Sequence, residues 1–336
     1  FANLEIWNSR IIINNSRFVL TLFFSSGDLE LTLRPSYYGK AILNYTTPSE
    51  SIVLDITSSW VINWMVLAIG NANVSLVNSS LMTIGAAEKA SINVRDSIVY
   101  GYLEVFPEAH AFVENSLIGR LYLVVEGESI SLEVPSRNIS VLELNASSYL
   151  FMRNTYLYSI YLEATLSSIR ISNTPLIGEA KLVLSNLIAD SIIAEKLSAT
   201  NTELEVLDSR INSLRLRASA ATIENSSISF LTIDYFSATI ARNSRIGLNM
   251  VFRNTEVRVE NLIGGQNFVN ESINGGIWSI RLENTIVTNY SVTLRGFSNA
   301  TITNSELKRV SCHEFSTAKI SLSKVTVIAP REIALV

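Results

Sequence analysis

One cysteine in 336 residues, Cys312, excludes any disulfide within the chain, so no covalent staple holds the fold. Histidine occurs twice, as His110 and His313, and aspartate six times, as Asp28, Asp55, Asp96, Asp190, Asp208 and Asp234. Residues this scarce and this far apart in the chain assemble neither a metal-binding histidine pair nor a Ser-His-Asp set. No catalytic residue, cofactor or metal site is therefore predicted, and the chain is expected not to be an enzyme. Charged residues make up only 17% and the net charge is −4, which is too acidic for a nucleic-acid binder. The longest apolar runs, Ile11 to Ile13 and Phe18 to Phe24, are broken by polar residues and too short to span a bilayer. Disorder is excluded from the other side, because 48% of the chain is hydrophobic.

What is present is a repeat. Ala111 to Ile118 reads apolar, any, apolar, any, Asn, Ser, any, apolar, and this unit recurs along nearly the whole chain. Taking its fifth position as a mark gives Asn15, Pro35, Ser58, Asn78, Asp96, Asn115, Ser136, Asn154, Asn173, Asp190, Asp208, Asn225, Asn243, Asn261, Asn284, Asn304 and Lys324. Successive marks lie 17 to 23 residues apart, and 13 of the 17 are Asn or Asp, followed in most cases by Ser or Thr. Apolar residues at minus four and minus two, such as Ile92 and Val94 or Ile169 and Ile171, alternate with mostly polar ones, the period of a half-buried strand. A second alternating pair near plus six and plus eight, Leu121 and Leu123 or Leu214 and Leu216, adds a second strand. A coil this short cannot bury its own apolar side, so it must stack on its neighbours. The expected fold is all-β, a single-domain parallel β-solenoid of about 17 coils spanning 11–327, with an internal Asn ladder at one turn. Residues 1–10 are either a capping strand or an extended donor strand, and 328–336 form an apolar tail.

With these turns the sequence resembles the right-handed parallel β-helix proteins of the pectate-lyase-like superfamily, whose turns carry comparable asparagine ladders. The resemblance covers almost the whole chain as architecture. Enzymes of that superfamily gather acidic residues on the outer wall, and none of those motifs is matched here. The outward Glu114, Glu133, Glu224, Glu260 and Glu283 are read as a solvated charged face. An outward row containing Phe112, Phe151, Leu187 and Ile240 is a candidate contact strip. Cys312 falls at an inward position, as a small buried residue.

Ten Asn-x-Ser/Thr sequons occur. Asn78 and Asn225 are ladder marks expected to point inward, which leaves Asn14, Asn44, Asn73, Asn138, Asn145, Asn270, Asn289 and Asn299 as candidate carriers of N-linked glycans. The chain opens at Phe1 without Met, as a secreted protein does after its signal peptide is removed, and as a trimmed chain does too. An extracellular or cell-surface location follows from this reading, and the Ile-rich, Cys-poor composition leans towards an archaeal surface. At both ends the sequence is apolar and extended, without an amphipathic helix to blunt a strand edge. Leu4, Ile6, Trp7, Ile333 and Leu335 are the expected assembly residues. The expected function is a structural subunit of an extracellular filament or surface layer whose partners are copies of itself, joined head-to-tail by strand addition or end stacking. The alternative is a monomeric adhesin or polysaccharide-binding rod with contact loops near Tyr37 and Gly264, and after it a polysaccharide lyase or hydrolase.

Overall fold

In the computed structural model, strands are described along most of the chain, and side chains for residues 72–145, 148–234 and 237–245, for Val66, Ala68 and Leu294, and for most of 299–324. Among the described residues there is no helix, and the chain divides into two compact units, Phe1–Ala164 and Thr165–Val336. Both are parallel β-solenoids.

In the first unit the chain alternates between two stacks. One runs Ser9–Ile13, Leu29–Leu33, Ile52–Thr57, Ala72–Val77, Ser91–Arg95 and His110–Glu114, each strand parallel to the next. The other runs Trp60–Ile69, Ser80–Ala87, Ile98–Val105 and Leu117–Glu126. After His110–Glu114 this stack continues with the start of the long strand Tyr149–Thr165; beyond Leu117–Glu126 and Ser129–Glu133, which belong to the regular stacks, residues 134–148 are an insertion. Part of that insertion, Asn138–Asn145, runs antiparallel along Tyr149–Thr165. Near the chain start, Ala2–Glu5 pairs in parallel with Leu20–Phe23.

In the second unit the five-residue strands Ser168–Ser172, Asn186–Asp190, Glu203–Leu207, Ala220–Glu224 and Ala238–Arg242 stack in register. They alternate with longer strands, among them Ile177–Val183, Ile193–Thr200, Arg210–Arg217 and Ser227–Asp234. Burial alternates along each strand until, in Arg210–Arg217, Asn212 and Ser213 follow one another without either being buried, and Leu214 restores the alternation. The same slip falls at Glu195 and Lys196 in the turn before and at Ser229 and Phe230 in the turn after. The chain bends there, which splits the long strand and gives each turn three faces. Ile169, Leu187, Leu204 and Ala221 on one face, with Leu197, Leu214 and Leu231 on another, are at most 5% exposed and form a continuous core.

The corners depart from expectation in an instructive way. Asn78, Asp96, Asn115, Asn154, Asn173, Asp208, Asn225, Asn243 and Asn304 all have φ between 46° and 50°, the left-handed region that Asn and Asp tolerate best. Every one of these marks is exposed, so among the described residues there is no internal Asn ladder, and Asn78 and Asn225 point outward rather than inward. The internal ladder is made by the residue that follows. Ser79, Ser97, Ser116, Ser209, Ser226 and Ser244 are each at most 6% exposed, and each hydroxyl donates to the carbonyl two residues back. Each of those oxygens from Ser97 onward that has a described neighbour also accepts the corner N–H of the preceding turn, as in Ser79 N–H to Ser97 Oγ at 3.1 Å and Ser209 N–H to Ser226 Oγ at 3.1 Å. The reason is steric. A left-handed residue turns its side chain off the coil, while the next one returns to extended backbone and faces the core.

One mark is displaced. At the turn marked by Asp190 the left-handed residue is Ser191, with φ 55°, and Asp190 is the last strand residue, in register with Ser172 and Leu207. The displacement also accounts for Leu187, expected on the outer row, being 1% exposed while Ile188 faces out. Ser136 marks no turn, because it lies inside the insertion, and at Lys324 the inner hydroxyl belongs to Ser323. Asn15, Pro35, Ser58, Asn261 and Asn284 lie outside the described residues. From Ser129–Glu133 onward the sheet that gains one strand per turn holds ten described strands, about ten turns, so the count differs from the expected 17.

A second corner was not anticipated. Leu166, Leu184, Asn201 and Ala218 are also left-handed, with φ from 49° to 54°, and are followed by the buried Ser167, Ser185, Thr202 and Ser219. Ser167 N–H donates to Ser185 Oγ, Thr202 N–H to Ser219 Oγ, and Ser219 N–H to Ser237 Oγ, all at 3.1 Å.

Candidate functional surfaces

The outer wall of the first unit carries a tyrosine and arginine patch. Arg120 lies on the strand beside Tyr102, donates from Nη1 to the Tyr102 hydroxyl at 2.9 Å, and stacks over the Tyr102 and Tyr161 rings at 5.2 and 5.7 Å. Those two rings meet edge to face at 5.8 Å. The hydrogen bond to Tyr102, followed by the field of the neighbouring tyrosines, raises the Arg120 pKa. Arg137 stacks over Tyr158 at 4.8 Å, and Tyr158 is 55% exposed. Next along the wall, the Tyr122 hydroxyl donates to Glu163 at 2.6 Å, and Tyr122 is the register partner of Glu104. Burial pushes the Glu104 carboxyl above the usual carboxylate range.

A cleft of about 660 Å³ in the same unit is lined by Asp96, Asn115, Asn138, Asn154 and Tyr156. Within it Asn154 donates its amide to Asn115 Oδ1 at 3.3 Å, and Asn115 donates to Asp96 Oδ1 at 3.2 Å. A carboxylate only accepts, so Asp96 sets the direction of this exposed stack.

The second unit presents a shallow groove of about 570 Å³ on the outer side of its five-residue strands. Its lining includes Ile188, Glu203, Glu205, Thr222 and Ile240, with the two glutamates exposed. Elsewhere charges pair across turns. Glu114 meets Arg95 at 3.9 Å and also pairs with Arg153, Glu224 meets Arg242 at 3.4 Å, and Glu179 meets Lys196 at 2.6 Å. Asp234, 1% exposed, is met by Arg215 at 3.2 Å.

Of the expected residues, Phe112 and Phe151 do lie side by side on adjacent strands, and Phe112 packs on Tyr149 at 5.4 Å between ring centres. Ile240 is on the outer wall, and Cys312 is buried. Among the glycan candidates Asn73, Asn138 and Asn145 are exposed, and half-buried Asn299 accepts from the Thr317 hydroxyl. The side chains of Asn14, Asn44, Asn270 and Asn289 lie outside the described residues, as do those of Leu4, Ile6, Trp7, Glu260, Glu283, Ile333 and Leu335. Gly264 lies outside them too, and Tyr37 ends the two-residue strand Ser36–Tyr37. Among the described residues no three His, Cys, Asp or Glu side chains gather where a metal ion would sit, and no helix is long and apolar enough to cross a membrane.

Sequence reasoning missed the patch. Its signal was present as aromatic residues recurring on the outer positions of consecutive second strands, Tyr100 and Tyr102, then Tyr122, then Tyr158 and Tyr161. The slip at Gly119 and Arg120 and the insertion before Tyr149 put these out of phase with the repeat. Comparison with protein-family models, with curated proteins and with solved structures finds no match.

Proposed function

We propose that this chain is a structural subunit of an extracellular filament or cell-surface layer that polymerises head-to-tail by stacking the ends of its solenoid. The observation that carries this reading is the direction of the hydroxyl ladder. In every described instance the corner N–H of one turn donates to the corner oxygen of the next turn along the chain, as from Ser97 to Ser116 and from Ser226 to Ser244. A one-way ladder offers oxygens towards the turn before and N–H groups towards the turn after. Copies stacked in one sense continue such a ladder and copies stacked end for end do not, which is the condition for an open, heterologous polymer. Residues Ala2–Glu5 are paired within their own chain, which supports end stacking over donation of a strand to a neighbour. The exposed sequons at Asn73, Asn138 and Asn145 support an extracellular, N-glycosylated surface, for which the composition suggests an archaeal cell.

Electron microscopy of native material tests the reading, with long polymers expected. A single 37 kDa species at all concentrations counts against it. The second reading, a monomeric adhesin or polysaccharide-binding rod, is favoured by the exposed tyrosine and arginine patch, and predicts that same monomer together with retention on a polysaccharide matrix.

A further inference from the structure

Two surfaces on this one chain match each other in charge. Arg120 and Arg137 are both exposed, and no carboxylate among the described residues pairs with either; tyrosine rings hold them instead. Glu203 and Glu205 are both exposed, and no cation among the described residues pairs with either. The glutamates sit two residues apart on one strand, so both face out, flanked in the adjacent turns by the uncharged Asn186, Ile188, Ala220 and Thr222. This contrasts with Glu114, Glu179 and Glu224, which have a cation in a neighbouring turn.

We infer that the patch around Tyr158 on one copy docks in the groove around Glu205 on a second copy. This rests on the polymer reading above and adds a lateral contact to it. Two guanidiniums meet two carboxylates, and the groove, at about 570 Å³, has room for the exposed Tyr158 side chain between Ile188 and Ile240. Stacking on tyrosine fixes the Arg120 and Arg137 planes before contact, so less side-chain freedom is lost on docking than for a free arginine. Because the two surfaces differ, the contact is heterologous, and each copy that uses its patch still offers a groove.

The test uses two double variants of the full chain, Arg120→Glu with Arg137→Glu, and Glu203→Lys with Glu205→Lys. All four positions are exposed, and an unchanged urea transition verifies folding; a variant that fails this check is replaced by the corresponding Gln pair. Sedimentation velocity at low salt is expected to show self-association of each variant weakened by about tenfold or more, and restored when the two are mixed, since reversed patch then meets reversed groove. Wild-type polymers that both variants form equally well overturn this contact and leave the end-stacking reading intact. A wild type that stays monomeric overturns both. Loss in both variants without rescue on mixing, together with loss of retention on an anionic polysaccharide in the arginine variant alone, identifies the patch as a glycan surface and overturns the contact.

Discussion

Replacing Ser209 by Ala tests whether the inner hydroxyl row holds the turns together. The Ser209 hydroxyl accepts the Ile192 N–H at 3.1 Å and donates to the Leu207 carbonyl at 2.5 Å, in a site that is 4% exposed. Leu207 keeps a second partner, the Ser191 N–H at 3.0 Å, so its carbonyl is not stranded by the change. The Ile192 N–H is, because water does not reach it. An orphaned buried donor costs about 1–3 kcal/mol and the lost bond to Leu207 about 0.5–1.5 kcal/mol; both come from removing one hydroxyl and overlap in part, so about 2–3 kcal/mol is expected. Hydrogen exchange reads this locally, without requiring the solenoid to unfold as one unit. The Ile192 amide is expected to exchange faster by a factor on the order of 30 to 150, with the loss fading within a turn or two. Ser209→Thr keeps the hydroxyl, and Thr155, Thr174 and Thr202 occupy equivalent inner corner positions, so it is expected to cost under about 1 kcal/mol. Unchanged protection at Ile192 in the alanine variant, or equal damage from Ala and Thr, refutes the reasoning.

Three further changes probe other parts of the wall. Gly119→Ala places a Cβ 2.2 Å from the Tyr100 carbonyl oxygen and 3.0 Å from that of Gly101, all backbone, so a loss of about 2–4 kcal/mol is expected in urea unfolding, and near-neutrality contradicts the packing described. Leu184→Asn relieves a left-handed leucine that is 53% exposed, and a gain of about 0.5–1 kcal/mol is expected; a loss in the same assay argues that the leucine has a contact of its own. Glu104 has its folded pKa raised by burial, so the native state holds a proton that the unfolded state has already released, and stability falls as pH rises from the unfolded value through the folded one. Glu104→Gln is therefore expected to melt above wild type at neutral pH and level with it below the carboxylate range, and a difference independent of pH refutes this.

How much of this was legible follows from what each position demands. A left-handed backbone favours Asn and Asp, so the outer corner announces itself in the sequence, and a stack of half-buried strands follows from the spacing alone. The same preference misdirected the ladder, because the conspicuous residue at a corner is not the buried one. At the second corner only Asn201 is a turn-favouring type; Leu166, Leu184 and Ala218 have no turn preference, so the corner does not recur as a pattern in the sequence. Its inner residues Ser167, Ser185, Thr202, Ser219 and Ser237 recur every 17 or 18 positions and were readable as small hydroxyl residues preceding a strand. The patch and the groove depend on which outward positions meet across turns. That register shifts at some of the bends, as between Val99 and Tyr102, and no local preference records it.

The two rows at one corner make opposite predictions from neighbouring residues, and Asn115 and Ser116 separate them. Asn115 is exposed, and its bonds to Asp96 and from Asn154 exchange with bonds to water at little net gain. Its φ of 50° is one that glycine adopts without strain, so Asn115→Gly is expected to stay within about 1 kcal/mol of wild type. Ser116 is 6% exposed, accepts the Ser97 N–H at 3.2 Å and donates to the Glu114 carbonyl at 2.7 Å, so Ser116→Ala is expected to cost about 2–3 kcal/mol. Urea unfolding of both variants decides between the rows. If removing the asparagine side chain is the costlier change, the amide stack holds the corner, and the one-way hydroxyl ladder from which end stacking is argued loses its energetic basis.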